Sequence, residues 1–217
     1  MNKVNYQKEL DRLISSLGGR RPRLLLHSCC APCSSYCIEY LARHFDITVL
    51  YYNPNISPTE EFYKRADEEE RFIREFGAAR EFDVKLIKDR YEPEVFYEAV
   101  RGMESLPEGG ERCFVCYRLR LRRAAEYAKA NGFEFFGTTL SISPLKNCEK
   151  LNEIGLELEG ELGVRYLPSD FKKRGGYLRS IELSREYGLY RQSFCGCVYS
   201  KRDAELRDRA KRLDITP

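Results

Sequence analysis

The chain has 217 residues, 37 basic and 34 acidic for a formal charge of +3, and nine cysteines. It is long enough to bury a core without covalent staples, and nine cysteines are too few for a small secreted disulfide scaffold. The near-balanced charge points to no partner by itself, and no run is apolar enough to span a bilayer or serve as a signal-peptide core, so the sequence predicts a reduced, cytoplasmic protein whose thiols do metal or redox chemistry.

In chain order, Val4, Leu10, Leu13, Ile14 and Leu17 fall near helical spacing before Gly18-Gly19, which predicts a leading helix from Met1 to Leu17. Leu24 to His27 reads as the first strand, followed at once by Cys29, Cys30, Cys33 and Cys37. Ile38, Leu41, Ala42 and Phe45 give the next helix one apolar face, with Cys37 expected near its first turn. Ile47 to Tyr52 is a second strand, and Ser57-Pro58-Thr59-Glu60 predicts a capped helix running to about Phe76. Phe82 to Ile87 is the third strand, Pro93 opens a helix towards Val100, and another helix follows Cys113-Phe114-Val115-Cys116 with Arg118, Arg120, Arg122 and Arg123 largely outward. Phe133 to Leu140 is the fourth strand; Leu151 to Leu162, Ser180 to Tyr187 and Lys201 to Leu213 read as helices, with a basic loop from Asp170 to Tyr177. Strand and helix alternate over the first 140 residues, so the expected fold is α/β, a parallel sheet with helices on both faces and a helical C-terminal part, in one domain spanning 1–217.

Three cysteine groups remain: Cys29-Cys30-x2-Cys33-x3-Cys37, Cys113-x2-Cys116 and Cys195-Gly196-Cys197, with Cys148 apart as a bystander. Free cysteine often fills cores, but adjacent Cys-Cys at the end of a strand is a poor way to do so, and the crevice beyond the carboxyl ends of parallel strands is where ligands bind. Two separated cysteine pairs can supply four thiolates to a zinc ion or an iron-sulfur cluster; because a doubly wound sheet needs no metal to fold, a cluster is the better reading. Cys195 and Cys197 read as a labile redox couple, with use as two further ligands the rival.

Six strings, HSCCAPC (His27 to Cys33), YNPNISP (Tyr52 to Pro58), PEGGERCFVCYRLRL (Pro107 to Leu121), TTLSISPLKN (Thr138 to Asn147), DFKKRGGY (Asp170 to Tyr177) and YRQSFCGCVYS (Tyr190 to Ser200), together resemble the QueH-type, cobalamin-independent epoxyqueuosine reductases. The resemblance implies a Rossmann-like fold of the nucleotide-hydrolase group and a tRNA-modifying enzyme that reduces epoxyqueuosine to queuosine at the wobble position of GUN anticodons. It also implies a [4Fe-4S] cluster on Cys29, Cys30, Cys113 and Cys116, with Cys195 and Cys197 as a redox-active pair. The serine-glycine-glycine phosphate loop of ATP-using relatives is absent, so no ATP is expected.

Deoxygenation takes two electrons and two protons, which a dithiol can supply, while a Lewis-acidic iron can polarise the oxygen. Cys33 and Cys37 could bind an additional iron or line the pocket, Asp170 is the candidate proton donor or oxygen ligand, and His27 either orients a ligand or is a satisfied core histidine. Arg112, Arg118, Arg120, Arg122 and Arg123, and Lys172, Lys173 and Arg174 with Tyr177, are the expected tRNA contacts, and the electron donor is not specified by the sequence. A tRNA thiolase-like enzyme and a zinc-binding or electron-transfer protein are the alternatives.

Overall fold

Leu24, Leu25 and Leu26 lie in β1 (Arg23–Ser28), and all three are fully buried. Successive side chains of a strand leave opposite faces, so Leu24 and Leu26 enter one core and Leu25 the other. Burying each leucine contributes about 2 kcal/mol, which makes an all-apolar run the natural centre of a sheet covered on both sides.

The computed structural model describes residues 4–213. Its elements are α1 (Tyr6–Ser16), β1, α2 (Ala31–Leu41), β2 (Asp46–Tyr51), α3 (Thr59–Glu75), α4 (Gly77–Glu81), β3 (Lys85–Lys88), α5 (Pro93–Ala99), α6 (Glu111–Ala130), β4 (Phe135–Thr138), a 3-10 turn (Thr139–Ile142), α7 (Cys148–Leu162), β5 (Arg165–Tyr166), α8 (Gly176–Glu186) and α9 (Val198–Leu213). The five strands run parallel in the order β3-β2-β1-β4-β5. One face packs Leu10 of α1, Ile38 and Leu41 of α2 and Phe72 of α3; the other packs Leu121, Ala124 and Ala128 of α6 with Leu151, Ile154 and Leu158 of α7.

The α/β expectation holds, with local differences. The leading helix begins at Tyr6, and the part of that expectation on residues 1–3 lies outside the described residues. Pro58 itself occupies the N-cap position of α3 and no side chain caps it, so Ser57 does not play the expected part. Phe82 precedes β3, because Gly77–Glu81 forms a short extra helix. The two-residue β5 has no sequence signal, being too short for any periodicity. α2 starts at Ala31 immediately after the cysteine pair, so Cys33 is in its first turn and Cys37 lies deeper inside the helix.

The chain leaves β1 to build β2 and β3 on one side and returns to place β4 and β5 on the other, so the strand order switches direction between β1 and β4. The loops beyond the carboxyl ends of these two strands diverge and leave a crevice. Cys29, Cys30, Cys33 and Cys195 line that crevice.

Candidate functional site

The crevice is a cavity of about 290 Å³ whose wall includes Cys29, Cys30 and Cys33 after β1, Leu140 to Lys146 after β4, and Arg191 to Cys195 from the C-terminal loop. The sulfurs of Cys29, Cys30 and Cys33 lie within 4.8 Å of one another, and Cys29 Sγ is 3.7 Å from Cys30 Sγ. Cys30 is the N-cap of α2, and the Cys33 and Ser34 amides both donate to its carbonyl, so the first turn of the helix fixes the three thiols on one edge. Hydrogen bonds from Cys30 and Cys33 hold Cys29 well below the usual thiol range, while those same bonds push Cys30 and Cys33 up. One thiolate shared by two thiols is a donor set ready to lose further protons to a cation.

A second group lies beyond it. Cys113 and Cys116, one turn apart at the start of α6, line a narrower cavity together with Cys195 and Cys197. Burial pushes Cys116 up to about 12 and raises Cys113 as well, although the Gly109 amide donates to Cys113 Sγ at 3.2 Å. The structure thus gathers Cys29 and Cys30 with Cys33, and Cys113 and Cys116 with Cys195 and Cys197. Cys195 alone among these seven lines both cavities. Cys37 is fully buried in the helix, its thiol donating to the Cys33 carbonyl, and Cys148 donates to the Ser169 carbonyl at 3.3 Å.

Two buried cations face the sulfurs. Arg120, fully buried, donates to Asn53 Oδ1 at 2.5 Å and feels the charge of Cys116, Cys29 and Cys195 from between the two thiol groups. The Lys146 ammonium lies 2.7 Å from Cys195 Sγ. Neither cation has a carboxylate ion pair among the described residues. A buried charge is costly unless paired, so this arrangement fits a centre that carries negative charge on thiolates or on a thiolate-bound cluster. Zinc or an iron-sulfur cluster would satisfy the donors, and the excess positive charge around them suits an anionic cluster.

His27 is a satisfied core residue. Its Nδ1 is 3.0 Å from Thr138 Oγ1 and its Nε2 is 3.1 Å from the Tyr52 carbonyl oxygen, and burial together with Arg120 lowers its pKa to about 3. A neutral imidazole at that depth ties β1 to β4 and does not deliver protons to the cavity. Asp170 is not on the wall of the thiol cavity; it lies 3.1 Å from Lys172 Nζ in a neighbouring groove.

The loop that carries Cys195 is held by groups the sequence did not advertise. The Ser57 amide donates to the Gly196 carbonyl at 2.9 Å, and Arg65, ion-paired to Glu61, donates to the Cys195 carbonyl at 3.0 Å. Gly196 has φ +129°, and a Cβ there would come within 2.9 Å of Ile56 Cγ1 and 3.1 Å of Arg65 Nη1. Only glycine lets the two cysteines turn this corner under the arginine.

Of the α6 arginines expected to face outward, Arg120 is buried, whereas Arg118, Arg122 and Arg123 are partly exposed and ion-paired. Arg118 pairs with Glu157 and Glu161, Arg122 with Glu161, and Arg123 with Asp89, while Arg112 is buried against backbone carbonyls and Arg120 against the thiols. Arg118, Arg122 and Arg123 thus tie α6 to its neighbours through carboxylates. The missed signal for Arg120 is its spacing four residues after Cys116, which puts both on one helical face.

Behind the first thiol group lies Glu69, fully buried, with Ser28 Oγ donating to it at 3.2 Å. Burial, reinforced by the charge of Cys29, raises its pKa to about 8. The unfolded chain ionises this carboxyl near its ordinary 4.5 while the folded protein still holds the proton, so folding stability falls as pH rises towards about 8 and is level above it. Glu69→Gln, with nothing to ionise, should lose less stability over that interval, by on the order of a few kcal/mol. Thermal unfolding across the pH series checks this, and parallel pH profiles for the two proteins would refute it.

The sequence matches the family described as epoxyqueuosine reductase QueH over residues 24–203. It is 43% identical over 202 residues to an epoxyqueuosine reductase QueH of Staphylococcus epidermidis, covering 91% of this chain and 85% of that protein. A Streptococcus pyogenes QueH is 42% identical over 200 residues, with 91% and 78% covered, and one from Thermotoga maritima is 36% identical over 196 residues, with 89% and 95% covered. The family match runs from β1 through the Cys195 loop and takes in both thiol groups, and the chain therefore belongs to the QueH family of epoxyqueuosine reductases.

Proposed function

We propose that this chain is an oxidoreductase that removes the epoxide oxygen of epoxyqueuosine in tRNA, giving queuosine. The observation that carries the reading is the cavity at the strand switch point, where Cys29, Cys30, Cys33 and Cys195 face one volume. Reduction of an epoxide to an alkene and water consumes two electrons and two protons, and a dithiol that closes to a disulfide releases two of each. Cys195 opens on the cavity and Cys197 lies behind it, so Cys195 is the member of the pair that meets substrate and Cys197 the one that closes the disulfide. Lys146, already against Cys195, keeps a cation beside the sulfur at the cavity wall.

Cys29, Cys30, Cys113 and Cys116 are the proposed ligands of a [4Fe-4S] cluster, with Cys33 available for an additional iron. When bound, the cluster would supply single electrons and a Lewis-acidic iron. An external donor must return the disulfide to dithiol after each turnover. Asp170, in its groove, fits a part in holding Lys172 towards the nucleic acid.

The RNA contacts proposed here are those around the cavity mouth: Arg191 and Tyr177 on its wall and Lys172 and Lys173 in the adjoining groove. The substrate is a tRNA with a GUN anticodon, and the cytoplasm is where such a substrate would be met; among the described residues no helix is long and apolar enough to cross a membrane.

Protein prepared without oxygen should be brown and carry about four iron and four sulfide per chain. With dithionite as donor it should convert epoxyqueuosine in tRNA to queuosine, read by mass spectrometry of the digested nucleosides. Stoichiometric zinc without sulfide would overturn the cluster, and unchanged epoxyqueuosine with iron-loaded protein would overturn the activity.

A further inference from the structure

The segment between β4 and α7 separates two concavities. On one side is the thiol cavity; on the other is an open groove of about 740 Å³ bordered by Asn5, Tyr6, Asp170, Lys172 and Lys173. Pro144, Leu145 and Lys146 belong to the walls of both. Leu145 is 56% exposed, a large aliphatic side chain left in solvent on the rim of the reaction cavity.

Its backbone is firmly held. The Ser143 amide donates to the Leu140 carbonyl, the Lys146 amide to the Ser143 carbonyl, and the Leu145 amide reaches Ser143 Oγ at 3.3 Å. Immediately after it Lys146 is anchored by Cys195, and the Asn147 side chain caps α7 by accepting from the Lys150 amide. Proline on one side and a buried lysine on the other leave little freedom, so the leucine is displayed on a fixed ridge. A single exposed aliphatic side chain is ordinary on a protein surface; what distinguishes Leu145 is its place, held on the ridge that the two concavities share.

The two concavities differ in a way that suits consecutive nucleotides. The cavity offers the aromatic side chains of Tyr177 and Phe194 for a base and Arg191 for a phosphate, and the groove offers Lys173, which forms no ion pair among the described residues. Seating the reacting nucleotide in the crevice takes its base out of the stack of its neighbours. Unstacking bares the face of the neighbouring base, and aliphatic wedges are the side chains that cover such a face in proteins that part adjacent bases.

Building on the proposed tRNA reaction, we infer that Leu145 is a wedge that parts the reacting nucleotide, seated in the thiol cavity, from the adjacent nucleotide of the same strand, seated in the groove. It is a positioning residue: it touches the neighbouring base and does no chemistry.

The test uses the iron-loaded protein and an anticodon stem-loop RNA carrying 2-aminopurine next to the target position, one probe on each side, since this base brightens when unstacked. Wild-type protein should raise the fluorescence of one of the two probes several-fold at saturation. Leu145→Ala, at an exposed position that leaves the core intact, should bind the RNA with that rise largely lost, and Leu145→Met should restore it. An equal rise with Leu145→Ala, or wild-type binding without any rise, would overturn the wedge while leaving the reductase reading in place. Failure of the wild-type protein to bind the stem-loop at all would overturn the tRNA reading and the wedge with it.

Discussion

Replacing Cys195 and Cys197 together with serine should leave bound iron near the wild-type content while abolishing repeated turnover, whereas Cys29→Ser, Cys30→Ser, Cys113→Ser or Cys116→Ser should each lose iron and activity together. The two classes differ because a missing ligand opens the metal's coordination shell, while a missing redox thiol leaves that shell whole and removes the two-electron donor. The geometry makes the experiment decisive. Cys195 and Cys197 line a cavity with Cys113 and Cys116 and are therefore the rival ligands, although among the described residues only Cys29, Cys30 and Cys33 have all their sulfurs within 4.8 Å of one another. Iron and sulfide content measured beside epoxide conversion, under anaerobic conditions, separates the arrangements. If the Cys195 and Cys197 variant loses its iron while Cys29→Ser keeps it, the ligand set must be redrawn around the C-terminal loop.

The scaffold was legible because its signals are local. Three buried leucines before a cysteine pair mark the central strand, and each later strand announces itself by β-branched and aromatic residues followed by a helix of regular apolar period. Two features escaped that logic. β5 is two residues long, held by pairing with β4 and by the Glu159 carboxylate accepting from the Tyr166 amide, so tertiary contacts alone create it. On α6 an arginine among arginines reads as a solvated face, although Arg120 is buried and Arg118, Arg122 and Arg123 are tied into ion pairs. Their partners on α7 and beside β3 are 34 to 43 residues away in sequence, a separation at which pairing leaves no periodic trace.

At the thiol site the sequence offered ligands without their counter-charges. Lys146 stood inside a recognisable string, yet nothing local tells a buried lysine from an exposed one; its contact with Cys195 joins residues 49 apart. Cys33 was visible but unassigned, since its place beside Cys29 and Cys30 depends on α2 starting at Ala31 and turning its first residues back over the pair. The site is thus a meeting of three loops, and only the fold decides which thiol meets which cation.

Arg120→Met should strip most of the iron from the protein and lower its stability by about 3–5 kcal/mol, the usual consequence of removing one side of a buried charge arrangement. Methionine fills similar space, so the effect isolates the charge. Without the guanidinium, Asn53 Oδ1 loses its 2.5 Å donor and the thiol groups lose the cation that lies between them. Each ligand must then be deprotonated without that compensation, and metal affinity falls. Arg120→Lys keeps the charge but not the planar fork that reaches Asn53 and the sulfurs at once, and should retain more iron than the methionine variant. Arg118→Met supplies the control. That arginine is about two-fifths exposed and pairs with Glu157 and Glu161 at the surface, where such bridges contribute about 0–1 kcal/mol. Iron content and chemical denaturation of the three variants give the answer. An Arg120→Met protein with the iron and stability of Arg118→Met would mean that the buried guanidinium is a packing element of α6 and that the thiols find their counter-charge elsewhere.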